Sequence, residues 1–167
     1  MTRSLHWVST VYQLVSHPHS YAAEDTDEPT EPALKTVKIN YIGVLYTSKL
    51  AMHYFNKEEE SRDRCLIIKG SLASYLDLPG GVEYQSSKFG VRGLMCCLRT
   101  TGRVRVNLLA PWWSRTGIMG DEFAAQIDAM LKSIGSDWVD LDDAAKAALR
   151  IATDYSIHGL WCLRWLF

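Results

Sequence analysis

Three patterns of apolar and polar residues along the chain predict three kinds of element. Between residues 33 and 57, apolar side chains recur every three or four positions with no internal proline, which predicts one long helix. A continuous apolar run at residues 65–68 is typical of a strand covered on both faces, and the largely apolar residues 104–110 predict another buried strand. Residues 7–15 alternate bulky with polar side chains, which predicts a further strand.

The second half of the chain continues the alternation of strands and helices. Helices are predicted at residues 84–98, 121–133 and 141–153, and a last apolar strand at residues 160–167. This order predicts an α/β fold with right-handed crossovers, in which helices cover both faces of a parallel, doubly wound sheet. Residues 22–32 are acidic and proline-rich, which predicts an exposed loop. We therefore divide the chain into a divergent segment, residues 1–32, and one domain, residues 33–167.

Composition narrows the classes of function. The 167 residues suffice for one domain, and 47% hydrophobic with 22% charged residues is ordinary for a globular protein. A formal net charge of -1 gives no overall positive field for a phosphate backbone, so we expect no nucleic-acid partner. Neither a membrane span nor a secretory signal can be recognised, so we expect no membrane association and a cytoplasmic location.

Cysteine and histidine residues suggest no special chemistry. The four cysteines form no CxxC pair, and we expect buried, reduced thiols. Three histidines lie near the start of the chain without the spacing of a metal site, so no metal is expected. These residues are Cys65, Cys96, Cys97 and Cys162, and His6, His17 and His19.

Candidate chemistry centres on Tyr84 and Lys88, which lie one turn apart on a predicted helix. A neighbouring ammonium favours the ionised form of a phenol and makes it usable as a general acid or base. Ser71 follows the strand at residues 65–68, where the carboxyl end of a parallel strand faces a ligand crevice. We expect its hydroxyl to hold a substrate oxygen.

The order of several motifs resembles the C-terminal part of the short-chain dehydrogenase/reductase family. Each lies where that family places its counterpart, and together they span roughly residues 34–163. The matching stretches are Val37-Lys38-Ile39-Asn40-Tyr41-Ile42-Gly43, Gly70-Ser71-Leu72-Ala73, Tyr84-Gln85-Ser86-Ser87-Lys88, Arg105-Val106-Asn107-Leu108-Leu109-Ala110-Pro111, Thr116, Asp142-Asp143-Ala144-Ala145 and Ile157-His158-Gly159.

The resemblance implies an NADP- or NAD-dependent oxidoreductase that interconverts a small-molecule secondary alcohol and a ketone. Tyr84 would exchange the proton with the substrate oxygen, Ser71 would donate a hydrogen bond to that oxygen, and Asn40 would position a water that relays protons to Lys88. Lys88 would also hold the ribose hydroxyls. The residues implied to contact the cofactor are Tyr84, Lys88, Ser114 and Thr116.

The sequence departs from the family pattern in two places. Its first glycine is Gly43, so the glycine-rich turn that receives the pyrophosphate is missing, and we expect a partial Rossmann-like sheet without its N-terminal strands. Pro111 is followed by Trp112 and Trp113, a form that resembles fungal pathway members acting on bulky alcohols and ketones. Either both tryptophans line a ligand pocket or they pack in the core.

Two other functions stay open at this stage. One is a non-redox remnant, either inactive or an acid/base catalyst of isomerisation or cyclisation that keeps Tyr84 and Lys88. The other is an interaction module, because loss of the first strands leaves a sheet edge exposed.

A homodimer is also expected, since the helix that carries Tyr84 packs against a second subunit in this family. We assign its apolar face, Met95, Cys96 and Leu98, to that contact.

Overall fold

The computed structural model describes residues 28, 31–32, 34–59, 61–77, 81–117, 119–159 and 161–162. The predicted strand at residues 7–15 and most of the predicted loop at residues 22–32 lie outside this part of the chain. The boundary at residue 32 therefore stays a prediction. The three histidines near the start of the chain are outside it too.

Five α-helices and three strands make up the regular structure of the described residues. A π-helical stretch, Lys38–Ile42, joins the first two helices. Short 3₁₀ turns follow the first strand at Leu72–Ser74 and the third helix at Arg99–Thr101. The elements are α1 (Lys35–Val37), α2 (Gly43–Phe55), β1 (Cys65–Lys69), α3 (Val82–Leu98), β2 (Arg105–Leu109), α4 (Asp121–Ser133), α5 (Leu141–Thr153) and β3 (Trp161–Cys162).

The strands form one parallel sheet in the order β1-β2-β3. Cys65 pairs with Arg105 at the start of β1, and Leu108 pairs with Trp161 where β3 joins. Each parallel neighbour is reached through a helical crossover, as the alternating pattern predicts. The α/β prediction is therefore confirmed, as a partial Rossmann-like fold.

Helices cover both faces of the sheet because successive side chains of a strand point to opposite sides. Leu66 and Ile68 of β1 pack on the face covered by α2 and α3, where Val44 and Val91 join the core. Cys65 and Ile67 pack on the other face, against Ala147, Ile151 and Ala152 of α5. The continuous apolar run of β1 thus reflects burial on both sides.

Two details of the sequence interpretation are wrong. Met95 is 1% exposed and lies in the core beside the sheet, so it does not face a second chain, whereas Cys96 and Leu98 are half-buried and their assignment to a subunit contact stays a prediction. The thiols also differ from one another. Cys65 is buried as expected, whereas Cys96 is half-buried and Cys97 is exposed.

Within the described residues, no helix combines the length and the apolar character that crossing a bilayer would need. The cytoplasmic location stays a prediction.

Candidate active site

The carboxyl ends of β1 and β2 are tied together directly below the candidate site. Gly70 donates its backbone N–H to the carbonyl of Leu109 at 2.8 Å, and Leu72 donates to the carbonyl of Pro111 at 3.1 Å. The loops that leave the two strands therefore run side by side, at the edge of a parallel sheet where ligands usually bind.

Ser71 begins the 3₁₀ turn that follows β1. Its Oγ accepts a hydrogen bond from the N–H of Ala73 at 3.2 Å, and the N–H of Ser71 donates to Oγ of Ser74 at 3.3 Å. This reciprocal cap fixes the position of the Ser71 hydroxyl. Because that oxygen accepts in the cap, its own O–H proton is left to donate to a ligand.

Helix α3 carries Tyr84 and Lys88 in its first two turns, as the spacing predicts. The helix begins at Val82, two residues earlier than expected, after Gly81 with φ +59°. The ammonium of Lys88 lies 5.6 Å from the centroid of the Tyr84 ring, and its Nζ donates to the carbonyl of Lys69 at 3.4 Å. Lys88 is buried and Tyr84 half-buried, so the pair sits at the boundary between protein and crevice.

The environment of Lys88 makes its proton labile. Burial lowers the pKa of Lys88 from its ordinary value to about 8, with a further lowering from the nearby charge of Lys69. Burial also lowers the pKa of Lys69 itself. A lysine whose pKa lies near neutrality can both hold and release a proton under working conditions.

Asn40 lies in the π-helical stretch and is 1% exposed. Its Oδ1 and Nδ2 are buried, and neither finds a hydrogen-bond partner among the described residues. The stretch packs against α3, where Gly90 allows a close approach: a Cβ on Gly90 would lie 3.0 Å from the ring of Tyr41. An unsatisfied buried amide is costly, and a bound water is the usual way to satisfy it.

Ser114 and Thr116 lie in the loop that follows β2, and both are half-buried. Oγ of Ser114 is buried and has no hydrogen-bond partner among the described residues. The carbonyl of Thr116 accepts from the N–H of Met119 at 3.1 Å, which makes a turn at this point of the loop.

An aromatic chain follows the same loop. The rings of Trp112 and Trp113 meet edge to face with centroids 6.3 Å apart, and Trp113 meets Phe123 of α4 in the same way at 5.9 Å. Both tryptophans are half-buried, so neither is enclosed in the core. Half-buried aromatic rings beside a polar site are typical of the wall of an apolar ligand pocket.

Sequence reasoning missed Lys69. It ends β1, and its position is visible in the sequence as the first charged residue after an apolar strand, two residues before Ser71. What the pattern does not show is that the strand brings Lys69 close enough to affect the pKa of Lys88.

The family model for short chain dehydrogenases matches residues 18–127 of this chain. The chain is 33% identical to 5'-hydroxyaverantin dehydrogenase of Dothistroma septosporum over 141 residues, which are 77% of this chain and 44% of the relative. It is also 33% identical over 159 residues to NADP-dependent dehydrogenase M3 of a Phoma species, over 85% of this chain and 46% of the relative. The chain belongs to the short-chain dehydrogenase family.

The fold comparison agrees with this assignment. A Sinorhizobium meliloti protein described as a short-chain alcohol dehydrogenase superposes with a TM-score of 0.75 and 21% identity, over 94% of this chain and 62% of that one. The chain spans about half the length of the curated relatives it matches.

The side chains present fit one end of a nicotinamide cofactor. Lys88 supplies a buried ammonium, and Ser114 supplies a buried hydroxyl that has no protein partner in the described part of the chain. For the pyrophosphate the sequence offers no glycine-rich turn, since no glycine precedes Gly43. In the described residues, no three His, Cys, Asp or Glu side chains are grouped in a way that could hold a metal.

Proposed function

We propose that this chain carries the catalytic half of an NAD(P)-dependent oxidoreductase that interconverts a secondary alcohol and a ketone. The observation that carries this proposal is the buried ammonium of Lys88 beside the ring of Tyr84, at the carboxyl edge of the sheet. Ser71, capped on the neighbouring loop, and Asn40, with its unpartnered amide, complete the set.

Each side chain has one task in the proposed reaction. Tyr84 gives its phenolic proton to the carbonyl oxygen during reduction and takes it back during oxidation. Ser71 donates a hydrogen bond to the same oxygen and stabilises its developing negative charge. Lys88 stabilises negative charge on the Tyr84 oxygen, and its pKa of about 8 lets it return a proton there. Asn40 holds the water through which Lys88 is reprotonated.

The cofactor is proposed to lie with its nicotinamide end against Tyr84, Lys88, Ser114 and Thr116. A bound nicotinamide supplies hydride transfer to and from the substrate carbon. The family assignment and the NADP-dependent Phoma relative support NADP or NAD by resemblance. The unpartnered Oγ of Ser114 supports a polar ligand at this loop.

The substrate is proposed to be a bulky, aromatic alcohol or ketone of fungal secondary metabolism. Trp112, Trp113 and Phe123 form a continuous aromatic wall beside the candidate site, which suits a flat ring system better than a short aliphatic chain. The Dothistroma relative, named for its action on 5'-hydroxyaverantin, supports the same class.

The direct test is turnover by the purified full chain. NADPH and NADH are each mixed with a polycyclic aromatic ketone, and loss of nicotinamide absorbance and formation of the alcohol are followed together. We expect Tyr84→Phe to lose activity by a factor of about 100 or more, because the proton donor is gone. Tyr155→Phe, at an exposed tyrosine after α5, serves as the matched control and should leave the rate unchanged.

An acid/base catalyst without a dinucleotide is the second candidate, because the paired Tyr84 and Lys88 can move protons without a hydride donor. In that case Tyr84→Phe would abolish an isomerisation or cyclisation while NADPH stays unconsumed and does not bind. Stoichiometric formation of alcohol and NADP would eliminate this candidate. An equal rate for wild type and Tyr84→Phe in every assay would overturn both.

A homodimer is proposed to form through α2, because Met95 of the α3 face first assigned to that contact is buried in the core. Four apolar side chains of the preceding turn and α2 are exposed at intervals of four residues, and therefore lie on one face. They are Ile42, Tyr46, Leu50 and Tyr54, of which Tyr46 is the most exposed at 71%. Such a stripe is typical of a helix that packs against a second chain.

Light scattering after size exclusion tests this contact. Tyr46→Glu combined with Leu50→Glu should convert a dimer into a monomer, whereas Lys146→Glu, at an exposed position of α5 on the other face of the sheet, should not. A wild-type chain that is monomeric at high concentration would contradict the proposal.

A further inference from the structure

A cavity of about 390 Å³ opens at the amino-terminal edge of the sheet. It lies where β1 and β2 begin, whereas the candidate active site lies where they end. Arg64 precedes β1 and Ser71 follows it, so the two sites are separated by about 20 Å at the rise of an extended strand. The lining residues are Arg62, Asp63, Arg64, Gly102, Arg103, Val104, Arg105 and His158.

Guanidinium groups dominate the wall of this cavity. Four arginines line it against one carboxylate, that of Asp63. The carboxylate of Asp63 is already paired, because Arg105 donates two parallel hydrogen bonds of 2.7 Å to its oxygens. Among the described side chains, no carboxylate is within ion-pair distance of Arg62. In a chain of net charge -1, this is a local excess of positive charge.

Arg64 is the most buried of the arginines that line the cavity. It is 7% exposed, its Nη1 donates to the carbonyl of Phe55 at 2.9 Å, and its own carbonyl accepts from the N–H of Arg105 at 2.8 Å. Its Nε is buried and has no acceptor among the described residues. A buried arginine donor without an acceptor is costly, and the guanidinium adds a positive charge to the wall of the cavity.

His158 adds no positive charge to this wall. Its Nδ1 accepts the N–H of Val106 at 3.2 Å, and its Nε2 lies 2.9 Å from the carbonyl of Arg99. A ring that accepts at one nitrogen and donates at the other is neutral. The arginines therefore decide which ligands the cavity favours.

We propose that this cavity binds the phosphate group of a small phosphorylated molecule. The planar fork of arginine matches phosphate oxygens in geometry, and several guanidinium groups around one concavity favour a dianion over a monocarboxylate. The cavity is large enough to take an organic portion as well as the phosphate. This site is separate from the proposed catalysis, so its test does not depend on turnover.

Isothermal titration calorimetry of the full chain tests the site, at constant ionic strength maintained with chloride. The ligands are inorganic phosphate, glycerol 3-phosphate and, as the uncharged control, glycerol. We expect both phosphates to bind and glycerol to give no heat of binding. Arg62→Gln combined with Arg103→Gln removes two exposed cations from the wall, and should weaken both phosphates by at least about tenfold.

Arg150→Gln is the matched control, because it removes the same charge from an exposed position of α5 outside the cavity. It should bind both phosphates as the wild type does. The proposal is overturned if the wild type shows no phosphate binding, or if the double variant, still folded by circular dichroism, binds phosphate with unchanged affinity. Equal loss in Arg150→Gln would also overturn it, since the effect would then be one of net charge alone.

Discussion

The ammonium of Lys88 lies 5.6 Å from the centroid of the Tyr84 ring, one helical turn further along α3. The same Nζ donates to the backbone carbonyl of Lys69, the last residue of β1. The last carbonyl of β1 and the backbone of α3 therefore together hold the buried ammonium of Lys88 beside the phenol of Tyr84. This arrangement affects stability as well as catalysis, because burying the charged ammonium lowers the free energy of unfolding.

Replacing Lys88 by methionine should remove a pH dependence of stability. The pKa of Lys88 is lowered from 10.5 to about 8 in the folded protein, so between these values the unfolded chain binds more protons than the folded one. Wild-type stability therefore rises with pH in this window. We expect the contribution of Lys88 to the free energy of unfolding to increase by about 2 kcal/mol from about pH 7.5 to about pH 9.5.

Urea unfolding followed by circular dichroism at both pH values measures this increase. Lys88→Met should lack it and should also lose activity. Lys132→Met, at an exposed lysine of α4, should keep the wild-type pH dependence. If Lys88→Met showed the same rise as the wild type, Lys88 would not be the group responsible.

Local signals predicted much of the fold. The bounds of α4 and α5 agree with the expected residues 121–133 and 141–153. For α5 the start signal is visible, since Asp140 accepts the N–H of Asp142 at 3.0 Å as an N-cap. Strand β1 was equally clear, because burial on both faces leaves a continuous apolar run. In each case the determining interactions lie close together in the sequence.

Long-range packing decided the features that the sequence did not reveal. The π-helical stretch around Asn40 keeps the apolar spacing of an ordinary helix, so periodicity cannot distinguish the two. Met95 was assigned to a subunit contact, but it packs in the core of its own chain. Helix α3 carries apolar residues on more than one side, and only the tertiary structure shows which side meets the sheet. Helical spacing suggested Tyr84 and Lys88, and the end of a predicted strand suggested Ser71, whereas Asn40 came from the family motif alone.

Replacing Asn40 by leucine should stabilise the fold while lowering activity. Both polar atoms of the Asn40 side chain are buried without a partner among the described residues, and leucine has a similar volume without that cost. We expect a gain of about 1–3 kcal/mol in the free energy of unfolding. Thermal and urea unfolding give the first quantity, and the rate of alcohol formation gives the second. A large loss of stability would contradict the expected gain.

Replacing Arg105 by lysine should destabilise the protein strongly. Arg105 binds both oxygens of Asp63 and also donates to four backbone carbonyls at the end of α5 and the loop after it. These carbonyls belong to Ile151, Ala152, Asp154 and Ile157. Lysine offers a single ammonium in place of the guanidinium fork, so we expect a loss of about 3–5 kcal/mol, which denaturant titration measures.

The matched control for that change is Arg115→Lys. Arg115 pairs with Asp128 at 3.5 Å, but its side chain is 64% exposed, compared with 12% for Arg105. Exposed ion pairs contribute little, so Arg115→Lys should change stability by less than about 0.5 kcal/mol. Equal losses of stability in the two variants would contradict the prediction, because the backbone carbonyls bound by Arg105 would then add nothing to the effect of the substitution.

Two glycine-to-alanine substitutions should have opposite effects. A Cβ on Gly70 would lie 2.9 Å from Cδ2 of Leu108 and 3.0 Å from its Cγ, and Leu108 is fully buried. Because Leu108 has no space to move into, we expect Gly70→Ala to cost about 1–3 kcal/mol of stability. On the exposed side of α3, a Cβ on Gly93 would meet no atom within 4 Å. Gly93→Ala should therefore stabilise the helix by about 0.5–1 kcal/mol.

The Gly70 substitution should also affect catalysis, because Gly70 is the residue before Ser71. Its N–H holds the loop to the carbonyl of Leu109 at 2.8 Å, and pushing the loop away from Leu108 moves the Ser71 hydroxyl with it. We expect Gly70→Ala to lower the rate of ketone reduction at a temperature where it is still fully folded, and Gly93→Ala to leave that rate unchanged. Unfolding curves and initial rates measured on the same preparations separate the two effects. Unchanged activity in folded Gly70→Ala would mean that the position of Ser71 does not limit the reaction.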